Sequence, residues 1–305
     1  MKSRRSFLGI VLLLGACVSI GSAQTENPVS PATAPPKLLL LVHQQFKFGS
    51  ESARQKLEAS VVRACDRLAV PNSWIDLQSI TGPPEALSFD PFDSFEQVDN
   101  AFVGWAQLFA SHPQLASLQQ QIRALETSES TIVAIRRDDL GYRVNRIDLS
   151  KTRFMRVFEV RLRPGHESEF VESFKLLSAA YEKINADMPW VVYQANVGMP
   201  SPSFLVFVPM RALKENDAYL ARAAKLREAE GDVGFDRMQQ IAGDAYTSTE
   251  SNLYAVSPET SHVFKEFSDG DPDFWSPRPS AGANSSANDG TAVAFLRKSP
   301  EAKQK

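Results

Sequence analysis

The chain has 305 residues, 43% of them hydrophobic and 23% charged, and its 33 cationic side chains against 36 acidic ones give a formal net charge of −3. That balance excludes a generally basic surface for nucleic acid or anionic membrane. Beyond the N-terminus no apolar run reaches the length that spans a bilayer, so no transmembrane segment is expected in the mature chain.

Residues 1–23 read as an export signal: Lys2, Arg4 and Arg5 form the charged end, Phe7 to Leu14 the apolar core, and Gly21-Ser22-Ala23 a small-residue cleavage site. The run Ser3-Arg4-Arg5-Ser6-Phe7-Leu8 is similar to the twin-arginine signal, which predicts an exported, periplasmic or secreted protein. Leu14-Gly15-Ala16-Cys17 resembles a lipobox, with a lipid anchor at Cys17 as the less favoured alternative to cleavage after Ala23. Removal of the signal takes the 33 cations to 30 against 36 acidic residues and leaves Cys65 as the lone cysteine, so no intramolecular disulfide is expected.

Residues 24–36, with four prolines and few large apolar side chains, predict a disordered linker. Lys37 to Phe48 predicts a strand that begins to alternate at Val42-His43-Gln44-Gln45-Phe46. Leu57, Val61, Ala64, Cys65 and Leu68 then recur at helical spacing, which places Cys65 as a small core residue. Trp74 to Ser79 is the second strand, Leu87 to Phe89 a short third one stopped by Pro91, and helical patterning fills Phe95 to Leu125 with a break at His112-Pro113. Thr131 to Ile135 closes this unit, taken as residues 37–140, and Gly141 to Lys151 is a polar connector.

A second unit, residues 152–262, repeats the order: a strand over Arg153 to Arg163, a helix over His166 to Asn185, strands at Trp190 to Val197 and Phe204 to Val208, helices over Leu213 to Glu230 and Gly234 to Tyr246, and a strand at Asn252 to Val256. Residues 263–305 predict a mostly disordered tail, with Phe274 and Trp275 as bystanders. The two units align residue on residue. Trp74, Gln78, Gly82 and Pro84 fall on Trp190, Gln194, Gly198 and Pro200 at a shift of 116; Phe89-Asp90-Pro91 falls on Phe207-Val208-Pro209 at 118; and Glu129 to Ile135 falls on Glu250 to Val256 at 121.

Strand, helix, strand, strand, helix, strand is the order of ferredoxin-like units. With a Trp opening the second strand, a Gly after it and a Phe-x-Pro ending the third, the chain resembles the dimeric α/β-barrel superfamily. The second unit is the better match: residues from Phe154-Met-Arg-Val-Phe-Glu-Val-Arg-Leu-Arg-Pro-Gly-His-Glu through Pro209 resemble its NIPSNAP and antibiotic-biosynthesis-monooxygenase branches. The resemblance implies an α+β protein whose tandem ferredoxin-like repeats form an intramolecular pseudo-dimer around a cavity, and an activity range from cofactor-free oxygenation and isomerisation to none. The constellations that haem-degrading relatives use do not map onto this sequence as a set.

Strand parity supplies site candidates. With Phe158, Val160 and Leu162 toward the helices, Glu159 and Arg161 face away, and so do His43 and Gln45; with Ile75, Leu77, Val191 and Tyr193 toward the helices, Trp74, Asp76, Gln78, Trp190, Gln194 and Asn196 face away. These ten residues predict either a pocket for a small polar or anionic ligand, with His43 as base or ligand and Glu159 and Arg161 as holding groups, or a network of Glu159, Arg161 and Asp76 joining the repeats. The histidines (His43, His112, His166, His262) lie in four different elements, so no metal site and no cofactor are expected. The expectation is an exported, non-catalytic small-molecule-binding or interaction protein; the alternative is a cofactor-free monooxygenase or isomerase with its pocket between the repeats.

Overall fold

A computed structural model describes residues 31–276; the signal, Cys17, the first part of the linker and the tail from residue 277 lie outside the described residues. Eight strands alternate with helices in the predicted order: β1 (Leu38–Phe46), α1 (Glu51–Leu68), β2 (Trp74–Ser79), β3 (Glu85–Phe92), α2 (Phe95–Ser111), α3 (Pro113–Arg123), β4 (Glu126–Arg136), β5 (Phe154–Leu162), α4 (Glu167–Lys183), β6 (Val191–Val197), β7 (Ser203–Met210), α5 (Glu215–Ala245) and β8 (Tyr246–His262). Two short helices, α6 (Lys265–Ser268) and α7 (Pro272–Trp275), follow. Pro113 at the first turn of α3 marks the expected break, and Gly231, with φ 71°, kinks α5 where the glycine pair predicted an interruption. Among the described residues no helix is long and apolar enough to cross a membrane.

The strands close into one antiparallel barrel in the order β1-β3-β2-β8-β5-β7-β6-β4. This corrects the expectation of tandem ferredoxin-like repeats meeting as a pseudo-dimer. The edges of the two halves pair strand to strand, β2 with β8 and β4 with β6, so that one hydrogen-bonded ring runs through the whole molecule. Closure is favoured because an open four-stranded half would leave two rows of unpaired backbone groups. Pro91 and Pro209 lie inside β3 and β7 without cost, because the neighbouring ladders with β2 and β6 end at Phe89 and Phe207. Pairing also moves one alignment: Leu38 opposes Ile135 and Phe154 opposes Ala255, an offset of 120 between β4 and β8 in place of 121.

A single apolar cluster fills the barrel with side chains of both halves, including Leu39, Leu41, Leu77, Leu87, Phe89, Val157, Val191, Tyr193, Leu205 and Phe207. The expected parity therefore holds on β1 and β5 and is inverted on β2 and β6. Leu77, Val191 and Tyr193 point inward, whereas Asp76, Trp190 and Gln194 face the helices. In a closed barrel with helices outside, both faces of a strand are buried, so an apolar face need not be the helix-facing one. The segment after β8 is also part of the core. Trp275 is 5% exposed, packs edge-on against Phe267 and donates its indole N–H to the Ser150 carbonyl at 2.6 Å, so it is no bystander. Residues 31–36 of the expected linker are likewise tied down, with the Pro36 carbonyl accepting from Tyr193 Oη at 2.7 Å.

Candidate functional site

The barrel interior has two unlike ends. At one end Phe89 and Phe207, the phenylalanines of the two Phe-x-Pro strand ends, meet edge to face at 5.0 Å between ring centroids. They form the floor of a funnel of about 730 Å³ whose walls include Leu39, Ile75, Met155, Val191, Tyr193, Pro91 and Pro209. Three connecting segments raise its rim: residues 32–37 before β1, Leu149 in the connector, and Val263 to Phe267 after β8. The charged groups sit at the rim, Lys37 and Glu266 on these segments, Asp93 just after β3 and Arg136 at the end of β4, while the Tyr193 hydroxyl donates to Pro36 and its pKa is raised by burial. A hollow of this size with apolar walls and a polar rim has the form of a small-molecule site.

Below the floor, Leu41, Leu77, Leu87, Val157 and Leu205 plug the barrel and are buried almost completely. Past them lies the polar end, four residues along β1 from Leu39 and thus about 13 Å away. Here His43 Nε2 and Glu85 Oε2 are 2.9 Å apart, and the Tyr254 hydroxyl donates to Glu85 Oε1. Burial works to raise Glu85, but the bonds from His43 and Tyr254 outweigh it and hold the carboxyl below its ordinary value. The same bond, against burial and with the fields of Glu85, Glu159 and Glu250, raises His43. Glu159, opposite Glu250 in the β5–β8 ladder, is raised by burial, with the fields of Glu250 and Glu85 adding to it against that of His43.

The ten residues singled out in the sequence therefore divide among three places. His43, Gln45, Glu159 and Arg161 share the polar barrel end, where Gln45 accepts from Ser128 Oγ at 3.1 Å and Arg161 is exposed. Trp74, Asp76 and Gln78 lie under the helices of the first half: Asp76 accepts from Thr260 Oγ1 at 2.6 Å and Ser88 Oγ at 3.0 Å, Trp74 donates to the Thr260 carbonyl at 2.8 Å, and Gln78 accepts from Gln55 at 2.9 Å. Trp190 is a core residue under the helices of the second half, donating to the Leu140 carbonyl at 2.9 Å and stacked on Tyr142 at 4.8 Å. Gln194 accepts from Arg137 at 2.7 Å, and Asn196 is exposed. Asp76 is thus apart from Glu159 and Arg161, and it joins the halves through Thr260 of β8. The polar end does the same by other residues, His43 and Glu85 of the first half with Tyr254 of the second. Of the ten, Trp74 alone also lines the funnel, whose other walls come from segments far apart in the chain; the twice-written Phe-x-Pro was the signal for its floor.

No family model matches the sequence, and no curated protein matches it significantly. Solved structures do. One described as an anthrone oxidase-like protein aligns over 74% of this chain and 93% of its own, at 12% identity and a TM-score of 0.51. A candidate monooxygenase from Lactobacillus acidophilus aligns over 74% and 95% at 8% identity and a TM-score of 0.45, and a mutant chlorite dismutase from Candidatus Nitrospira defluvii over 75% and 94% at 10% and 0.44. The first likeness shows a shared α/β-barrel fold; at such identity it carries no activity across.

Proposed function

We propose that the protein binds a small, predominantly apolar molecule in the funnel and does so without converting it. The observation that supports this is the hollow itself: a barrel packed solid from Phe89 to the polar end is left open over about 730 Å³ at the other. Empty apolar space forfeits contacts that a filled core would make, so a bound apolar molecule recovers them. A non-catalytic role is favoured because the deep wall is hydrocarbon, the Tyr193 phenol is kept protonated and occupied by Pro36, and the leucine plug separates His43 from the funnel. This replaces the polar or anionic ligand expected around His43 by an apolar one. The signal-like run at 1–23 supports export, and the intact mass of the purified protein distinguishes cleavage after Ala23 from lipidation at Cys17.

The test is a fluorescence titration with the neutral dye N-phenyl-1-naphthylamine, with an anthrone, the compound named for one structural relative, as competitor. Saturable binding on the order of micromolar is expected. Ile75→Trp, which narrows the funnel from a half-buried wall position, should weaken it with little change in the thermal midpoint. Unsaturable dye uptake, or unchanged binding by the narrowed variant, would refute the reading. Oxygen consumption with the anthrone above the buffer rate would favour the oxygenase alternative.

A further inference from the structure

The helix-facing layer of the first half is polar where that of the second is dry. An offset of 116 residues carries the start of α1 onto the start of α4 and β1 onto β5, so Arg54 corresponds to Phe170, Glu58 to Phe174 and Asp76 to Val192. At the offset of 118 between β3 and β7, Ser88 corresponds to Val206 and Asp90 to Val208. Under α1, α2 and α3 this polar layer borders a cavity of about 240 Å³. Trp74, Trp105 and Phe109 wall it, with ring centroids 5.9 Å apart for the tryptophans and 5.5 Å for Trp105 and Phe109.

The carboxyls around the cavity are not equivalent. Asp76 accepts from two hydroxyls, Glu58 pairs with Arg54 at 2.6 Å and Glu129 accepts from Gln44 at 3.1 Å. Asp90 lines the same cavity, yet its carboxyl has no hydrogen-bond or ion-pair partner among the described residues. Asp90 is half-buried. A carboxyl at a cavity wall without a protein partner, beside the faces of aromatic rings, is matched by a cation that donates an N–H and carries hydrocarbon.

We infer that this cavity is a second binding site, adjoining the funnel at Trp74, for a small protonated alkylamine whose N–H is donated to Asp90 and whose alkyl groups lie against Trp74, Trp105 and Phe109. The titratable groups facing it from each element agree. Burial pushes Asp90 up to about 7; burial, aided by Asp76 and opposed by Arg54, pushes Glu58 up to about 8; burial raises Asp76 against Arg54 and its hydroxyl partners; Glu129 of β4 and Arg123 of α3 complete the lining. A bound cation favours the ionised carboxyls, so amine binding strengthens from about pH 6 to about pH 9 and releases protons.

The experiment follows intrinsic tryptophan fluorescence of the full chain titrated with trimethylammonium chloride against sodium chloride at equal ionic strength. Saturation on the order of a millimolar is expected, with tetramethylammonium, which has no N–H, binding more weakly. Asp90→Val installs the residue that the second half carries at the corresponding place, so the variant should fold and bind trimethylammonium at least about tenfold more weakly. Asp90→Asn, which keeps the shape and removes the charge, should lose binding too. A response no greater than that to sodium chloride, or variants that titrate like the parent, would overturn the proposal.

Discussion

The two helix-facing layers of this barrel rest on the same ladders and differ in chemistry. In the second half Phe170 stacks on Phe204 at 4.2 Å, and Phe174, Tyr181, Trp190, Val192, Val206 and Val208 pack around them in one dry cluster. In the first half the apolar residues form two small groups, one around Leu40 and Val98 and the other around Phe46 and Ile122, with Gln44, Glu58, Asp76, Ser88 and Asp90 around the cavity nearby. The second half demonstrates that the ladder geometry tolerates valine and phenylalanine at those places, so the fold does not require the polar groups. Retaining them sacrifices stability, as binding sites commonly do.

Substitutions at corresponding places sharpen the contrast. Phe170→Ala should have the largest effect, a loss of about 3–5 kcal/mol in a denaturant melt, because the ring is fully buried and stacked. Arg54→Ala, at the corresponding position of the first half, removes the pair with Glu58 and the contact of the guanidinium with the Phe46 ring at 4.5 Å. Glu58 can answer by taking up a proton, so a smaller loss of about 1–3 kcal/mol is expected. Equal losses at the two positions would break the comparison. Asp90→Val should go the other way and gain up to about 1 kcal/mol near pH 8, since it removes a half-buried carboxylate without a protein partner; a loss would mean that Asp90 supports the fold.

A pH series gives the smallest and most specific signal. The folded protein holds the Asp90 proton from the ordinary carboxyl value of 3.8 up to about 7, so this group favours folding at low pH and its contribution declines as pH rises through that window. At the polar end the signs differ. Glu85, lowered, contributes stability above its ordinary 4.5 that is lost in acid, and His43, raised, contributes stability below its ordinary 6.5 that is lost as pH rises past its folded value. The decline between about pH 4 and pH 7 should therefore flatten in Asp90→Val, whereas Tyr254→Phe should leave it in place and weaken the acid side through Glu85. Identical profiles for Asp90→Val and the parent would contradict the assignment.

Which of this was legible in the sequence depended on which side of a strand had to be dry. On β1 and β5 the run from hydrocarbon into His43-Gln44-Gln45 and Glu159-Val160-Arg161 placed His43 and Glu159 correctly inside the barrel, at the end where water reaches. On β2 and β6 both faces are buried, so parity does not separate a cavity-lining Trp190 from one that packs under the helices, where it lies. Element order, the break at Pro113 and the kink at Gly231 followed from local residue chemistry. Closure of the barrel did not, because it depends on which edges pair. Trp275 was hidden by its surroundings: a short aromatic pair in a polar, turn-rich run has no periodicity to show that it packs under Ser150.

The most direct measurement is a crystal structure of the full chain with N-phenyl-1-naphthylamine bound. The funnel reading predicts the dye on the Phe89 and Phe207 floor, between Tyr193 and residues 34–37, with the leucine plug and the His43–Glu85 pair undisturbed. Dye found under the helices of the first half or only on the outer surface, with the funnel taken up by side chains, would contradict it.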